Sequence, residues 1–262
     1  MAGDGGGHQQ IRWLHPHQFH DSHGTAGRSG RRPGGNDGRL WIGTTKGLSC
    51  FDGATFTNYG TADGLVHAEV LALTAGDGGL WVGTRGGLSH YDGVKFASYG
   101  APEGLLSSQI NDVLVDREEV VWLGTMGGVS SWDGARFHNF TTADGLANTQ
   151  VYSVFQDDAG DFWFGGFVGL GQYSQSFFTL STTTGLVHND VRGILQDRND
   201  DFWFATQGSV SRFEQGELRT IGVADGLAHS RVFCLLEDTA GGIWMGTEGG
   251  ITHFLPTIAS PP

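Results

Sequence analysis

The chain has 262 residues with 45 Gly, 6 Pro and 2 Cys, and a formal charge of −13 from 28 acidic and 15 basic residues. Glycine in pairs such as Gly86-Gly87 without abundant proline excludes collagen, and 38% hydrophobic with 11% aromatic residues excludes a disordered low-complexity chain. The acidic balance argues against nucleic acid as a partner, and two cysteines, Cys50 and Cys234, read as free thiols rather than a disulfide scaffold.

In chain order, residues 1–36 come first, with nine Gly and five of the eleven His (His8, His15, His17, His20 and His23). They match nothing downstream and read as a mostly disordered tail. The tail lacks the apolar core of a secretory signal, and no later stretch of 18 apolar residues reads as a membrane span.

From residue 37 to 262 the chain repeats itself. Trp41, Trp81, Trp122, Trp163, Trp203 and Trp244 are separated by 40, 41, 41, 40 and 41 residues, in WIGTTKGL, WVGTRGGL, WLGTMGGV, WFGGFVGL, WFATQGSV and WMGTEGGI. Within each unit short apolar runs alternate and end at Gly, Asp or Asn, which predicts short antiparallel strands. The pairs Asp52-Gly53, Asp92-Gly93 and Asp133-Gly134 predict two-residue hairpins. Gly43, Gly83 and Gly124 mark close backbone approach or a bulge.

Four strands in a repeat of this length predict an all-β propeller of about six four-stranded antiparallel blades. Strands a to d run from the centre outward. Strand a begins at Val70, Ile110, Val151, Val191 and Val232; d contains Phe56, Phe96, Phe137, Phe178 and Leu218. The chain supplies 22 strands where six blades need 24, unless Gln10–Leu14 and Pro256–Pro262 provide the others. Closure is therefore open, and unpaired blade edges invite self-association.

The unit D-x-x-G-x-[LIF]-W-[IVLFM]-G-T-x-x-G-[LVI]-S-x-[FYW]-D-G, followed by F-x-x-Y and D-G-L, resembles the two-component regulator propeller repeat, from Asp37 to about Phe254. FGGFVGLGQYSQ and FATQGSVSRFEQ depart from it most. The resemblance implies the periplasmic or extracytoplasmic sensor part of bacterial hybrid histidine kinases and related regulators, with carbohydrate or polymer-fragment ligands. It would be a sensor without its output, since the chain shows no nucleotide-binding glycine box, phosphoacceptor helix or kinase module.

Two sets of loop positions are the candidate ligand site. In the d-to-a connector stand His67, Ser107, Asn148, His188 and His229, followed by Glu69, Gln109, Gln150, Asp190 and Arg231. In the b-to-c loop stand Thr45, Arg85, Met126, Phe167, Gln207 and Glu248, one address with six chemistries. The bland alternative is that the loop residues vary because nothing packs on them and that each histidine caps local backbone.

Three functions are consistent with this: a non-catalytic sensing or binding propeller for a small-molecule or glycan ligand; a propeller lyase using His188, His229 and Glu248; or a self-assembling or artificial scaffold. The first is the leading expectation, with no catalytic residues, cofactor or metal assigned. Three histidines on non-adjacent blades are too widely spaced for one ion. The acidic runs Asp157–Asp161 and Asp197–Asp201 lack a calcium-loop pattern and read as turns.

Overall fold

The computed structural model describes residues 39–76, 78–174 and 177–255; the leading 36 residues, Gln10–Leu14 and Pro256–Pro262 lie outside them. The regular elements of the described chain are strands and short 3-10 turns, with no α-helix among the described residues. Blade 1 holds β1 (Leu40–Thr44), β2 (Gly47–Phe51) and β3 (Phe56–Tyr59). Blade 2 holds β4 (Val70–Gly76), β5 (Gly79–Thr84), β6 (Leu88–Tyr91) and β7 (Phe96–Tyr99). Blade 3 holds β8 (Ile110–Val115), β9 (Val121–Thr125), β10 (Gly128–Trp132) and β11 (Phe137–Phe140). Blade 4 holds β12 (Val151–Gln156), β13 (Phe162–Gly166), β14 (Gly169–Tyr173) and β15 (Phe177–Leu180). Blade 5 holds β16 (Val191–Gln196), β17 (Phe202–Thr206), β18 (Val210–Glu214) and β19 (Glu217–Ile221). Blade 6 holds β20 (Val232–Glu237), β21 (Ile243–Thr247) and β22 (Gly250–Phe254).

Each blade is one antiparallel meander, four-stranded in blades 2 to 5 and three-stranded at both ends. The strand boundaries thus fall where the alternation places them, with blade 1 lacking its inner strand and blade 6 its outer one among the described residues. Inner strands pack on each other around the axis, β4 on β8, β8 on β12, β12 on β16 and β16 on β20.

The core lies between blades rather than at one centre. The b-strand tryptophan of blades 1 to 5 faces the next blade: Trp81 and Leu88, for example, are buried with Leu105, Ile110 and Val113. The opposite face turns backward, so Val82 and Leu80 pack with Leu48 and Trp41 of blade 1. Gly83 and Gly124 are where neighbouring sheets come closest, since a Cβ at Gly83 would press on Ile110 and Val113, and one at Gly124 on Val151 and Val154. The bulge sits elsewhere, in the inner strand.

The turns follow from side chains competing for backbone donors. At the b-to-c turn the Thr125 hydroxyl donates to the Gly128 carbonyl, as Thr84 does to Gly87. Gly128 has φ +135°, and a Cβ there would strike the Phe140 carbonyl oxygen. Each D-G-L connector ends a 3-10 turn: Asp63 accepts from the Gly60 N–H, Gly64 is left-handed, and Leu65 drops into the inter-blade core at 2% exposure.

The Asp-Gly turns between c and d differ from the predicted two-residue hairpins. The β2–β3 turn takes four residues, Asp52–Thr55, because the Asp52 carboxylate accepts from both the Ala54 and Thr55 N–H groups and holds a wider loop. Asp92 and Asp133 do the same.

The acidic runs are turn and core structure. Asp157 accepts from the Asp161 N–H and from the Trp163 indole, and Asp197 from the Asn199 and Asp201 N–H groups and the Trp203 indole. On this side arginines staple blades together, Arg117 donating to the Asp157 and Asp158 carbonyls of the next blade.

Candidate functional site at the channel mouth

The two loop sets meet at one end of the molecule, blade by blade. The b-to-c residue donates its N–H to the carbonyl of the d-to-a residue in the same blade: Arg85 to Glu69, Met126 to Gln109, Phe167 to Gln150, Gln207 to Asp190 and Glu248 to Arg231. One backbone bond therefore repeats five times and presents different side chains from the same address.

The histidines serve this loop. His67 Nδ1 accepts the Glu69 N–H at 3.0 Å, His188 that of Asp190 at 3.0 Å and His229 that of Arg231 at 3.1 Å. Each ring nitrogen that would face a ligand from the Nδ1 side is occupied by local backbone. Asn148 is buried and its Oδ1 accepts the Phe167 N–H. Ser107 sits against Gly127, as the histidines sit against Gly86, Gly208 and Gly249.

The inner strand adds residues that sequence reasoning missed. A bulge between Val70 and Ala72 recurs between Ile110 and Asp112, Val151 and Ser153, Val191 and Gly193, and Val232 and Cys234. The extra residues are Leu71, Asn111, Tyr152, Arg192 and Phe233. A bulge takes one residue out of the ladder and re-aims its side chain. The only sequence signal was their variety beside an unvarying Val or Ile.

These residues form a connected arc across blades 3, 4 and 5. Gln109 donates to Asn111 Oδ1 at 2.9 Å, and Asn111 Nδ2 donates to the Val151 carbonyl of the next blade at 2.8 Å. The Tyr152 hydroxyl donates to Gln150 Oε1 at 2.8 Å, and the Arg192 guanidinium lies 3.8 Å from the Tyr152 ring centre. Arg192 is held by both oxygens of Asp190, at 2.6 and 2.8 Å. Burial raises the Tyr152 phenol above its ordinary value against the opposing Arg192 charge, so the hydroxyl stays a neutral donor at physiological pH.

A second arc joins blades 5 and 6. Arg231 donates to Gln207 Oε1 at 2.7 Å and to both Glu248 oxygens at 2.9 and 3.1 Å. His229 Nε2 stands 3.7 Å from Glu248, beyond hydrogen-bond reach. In blade 2 Arg85 pairs with Glu69 at 3.0 Å, and Phe167 is 55% exposed at the rim. Met126 is half-buried. Among the described residues no three His, Cys, Asp or Glu side chains are grouped to hold a metal ion, so His67, His188 and His229 do not converge on one point.

Comparison with known proteins places the repeats. Residues 145–167, 185–208 and 226–249 match the family described as two component regulator propeller. The fold is similar to the extracellular domain described as that of a hybrid two component system of B. thetaiotaomicron, at TM-score 0.76 and 21% identity, over 85% of this chain and 33% of that one. A second such domain from the same organism matches at TM-score 0.64 and 18% identity, over 94% of this chain and 39% of that one. This chain thus spans about a third of the length of those domains. Virginiamycin B lyase from Staphylococcus aureus, solved in an inactive form with quinupristin, matches at TM-score 0.65 and 15% identity, over 85% of this chain and 82% of that one. No curated protein matches the chain. At these identities the solved structures establish the fold, a β-propeller, and three segments of the chain match the two component regulator propeller family.

Proposed function

We propose that the chain is a non-catalytic, ligand-sensing propeller resembling the extracytoplasmic part of two-component regulators, binding a polar, carbohydrate-like small molecule at the channel mouth. The observation that carries this reading is the repeated bond between the b-to-c and d-to-a loops. It fixes the backbone and leaves the side chains free to differ, which suits recognition. Asn111, Gln150, Asp190 and Arg192 offer both donors and acceptors beside the Tyr152 ring, and exposed Phe167 offers a stacking face. The sensing role and the extracytoplasmic location rest on the repeat family and on the two B. thetaiotaomicron domains.

A lyase reading has one observation on its side, the approach of His229 to Glu248. Against it, Arg231 claims both Glu248 oxygens and the His229 Nδ1 is spent on backbone. Both readings are tested by one experiment: calorimetry and thermal shift with a panel of oligosaccharides, followed by product analysis. The sensing reading expects a ligand that raises Tm, is left intact, and is lost in Arg192→Ala. No response across the panel, or turnover of the bound compound, would count against it.

A further inference from the structure

The first three blade interfaces each seat a ring from the end of an outer strand, between the b-strand tryptophan of its own blade and the c-strand ring of the next. Tyr59 lies 5.7 Å from Trp41 and 5.4 Å from Tyr91. Tyr99 lies 6.0 Å from Trp81 and 5.0 Å from Trp132, and Phe140 lies 5.7 Å from Trp122 and 5.9 Å from Tyr173. Blade 4 breaks the series. Leu180 holds that address, paired with Leu170 as Tyr99 is with Leu88, in the cluster that contains Trp163 and Phe213. A second ring is lost across the interface: Leu218 pairs with Phe213 where Phe96 pairs with Tyr91 and Phe137 with Trp132.

Between blades 4 and 5 the two leucines border a groove of about 580 Å³, walled by Trp163, Phe178, Leu180, Phe202, Phe213 and Leu218. Small-molecule sites span roughly 300–1,000 Å³. The groove gains an exposed ring as it loses two: Phe178, 56% exposed, stands where the other blades place Thr57, Ala97, His138 and Arg219. Among the described residues on its wall Asp157 alone is charged, and its oxygens already accept the Asp161 N–H and the Trp163 indole. A charged ligand would enter without a counter-charge. We propose that this groove is a second ligand site, taking an uncharged, flat aromatic compound of two rings, one of them at the address that Tyr59, Tyr99 and Phe140 fill elsewhere. It is separate from the channel mouth, since β15 and β19 are the outermost strands of their blades.

The test titrates the full chain with N-phenyl-1-naphthylamine, a neutral two-part aromatic probe whose fluorescence rises in apolar surroundings. A saturable rise fitting one site is expected. The double variant Leu180→Tyr with Leu218→Phe restores the rings found at Tyr99 and Phe137, and should weaken binding at least tenfold while keeping Tm at or above that of the parent. Phe178→Ser changes an exposed side chain, so it keeps its fold, checked by circular dichroism, and should weaken binding at least threefold. No saturable rise, or equal binding by folded Phe178→Ser, overturns the proposal. So does a signal lost in Ile251→Ser or Phe167→Ala but kept in the groove variants, because Ile251 and Phe167 are exposed apolar residues outside the groove and the probe would be seated there.

Discussion

The indole N–H of Trp203 donates to the buried carboxylate of Asp197 at 2.9 Å, and the same bond joins Trp122 to Asp116 and Trp163 to Asp157 at 2.7 and 2.8 Å. One carboxylate thus closes the a-to-b turn and satisfies the largest side chain of the inter-blade core. Asp197→Ala strands that indole and two backbone N–H groups, so a loss of about 2–4 kcal/mol is expected in urea unfolding. Asp238→Ala removes the same bond from half-exposed Trp244 and is expected to cost clearly less.

Asp112 is buried between blades 3 and 4, accepting from the Val113 N–H and, across the interface, the Val154 N–H at 2.8 Å. Burial outweighs those bonds and pushes its pKa up to about 7. The folded state therefore holds a proton that the unfolded chain releases near pH 4. Stability contributed this way is present in acid and is lost as pH rises from about 4 to about 7, by a few kcal/mol at most. Unfolding free energies measured across that range should fall less steeply in Asp112→Ala than in the parent.

Two glycines with positive φ separate conformational cost from collision. Gly134 at φ +92° has open space where a Cβ would stand, so Gly134→Ala should cost about 1–2 kcal/mol from backbone alone. Gly128→Ala adds a clash with the Phe140 carbonyl and should cost more, enough to lower Tm by several degrees further. Thermal unfolding of the two variants side by side checks the order.

His188 accepts the Asp190 N–H, at a position where blade 4 uses Asn148 and blade 3 uses Ser107. His188→Asn should therefore stay within about 0.5 kcal/mol of the parent, while His188→Ala loses about 1 kcal/mol. If the ring instead meets ligand directly, His188→Asn will lose affinity while keeping its Tm, which calorimetry would read.

The period of tryptophans made the blades legible, because a core built between identical units must repeat its largest residue at fixed spacing. The starts of β4, β8, β12, β16 and β20 were legible for the same reason. The mouth residues were only half legible. His67, His188 and His229 stood out by type, yet local backbone claims them. Asn111, Tyr152 and Arg192 were hidden because a bulge is a mismatch between two strands, and neither strand alone records it. Asp112 was invisible in the same way, since its partner is 42 residues away in another blade.

The backbone bond from Arg85 to Glu69, repeated through Glu248 to Arg231, separates the loop's shape from its chemistry. Neither bonded atom belongs to a side chain, so side-chain substitutions other than proline at the five donor positions leave the bond itself in place. Under the binding role proposed above, a lineage of such proteins exchanges one ligand for another by changing these side chains, while the scaffold keeps its backbone bond.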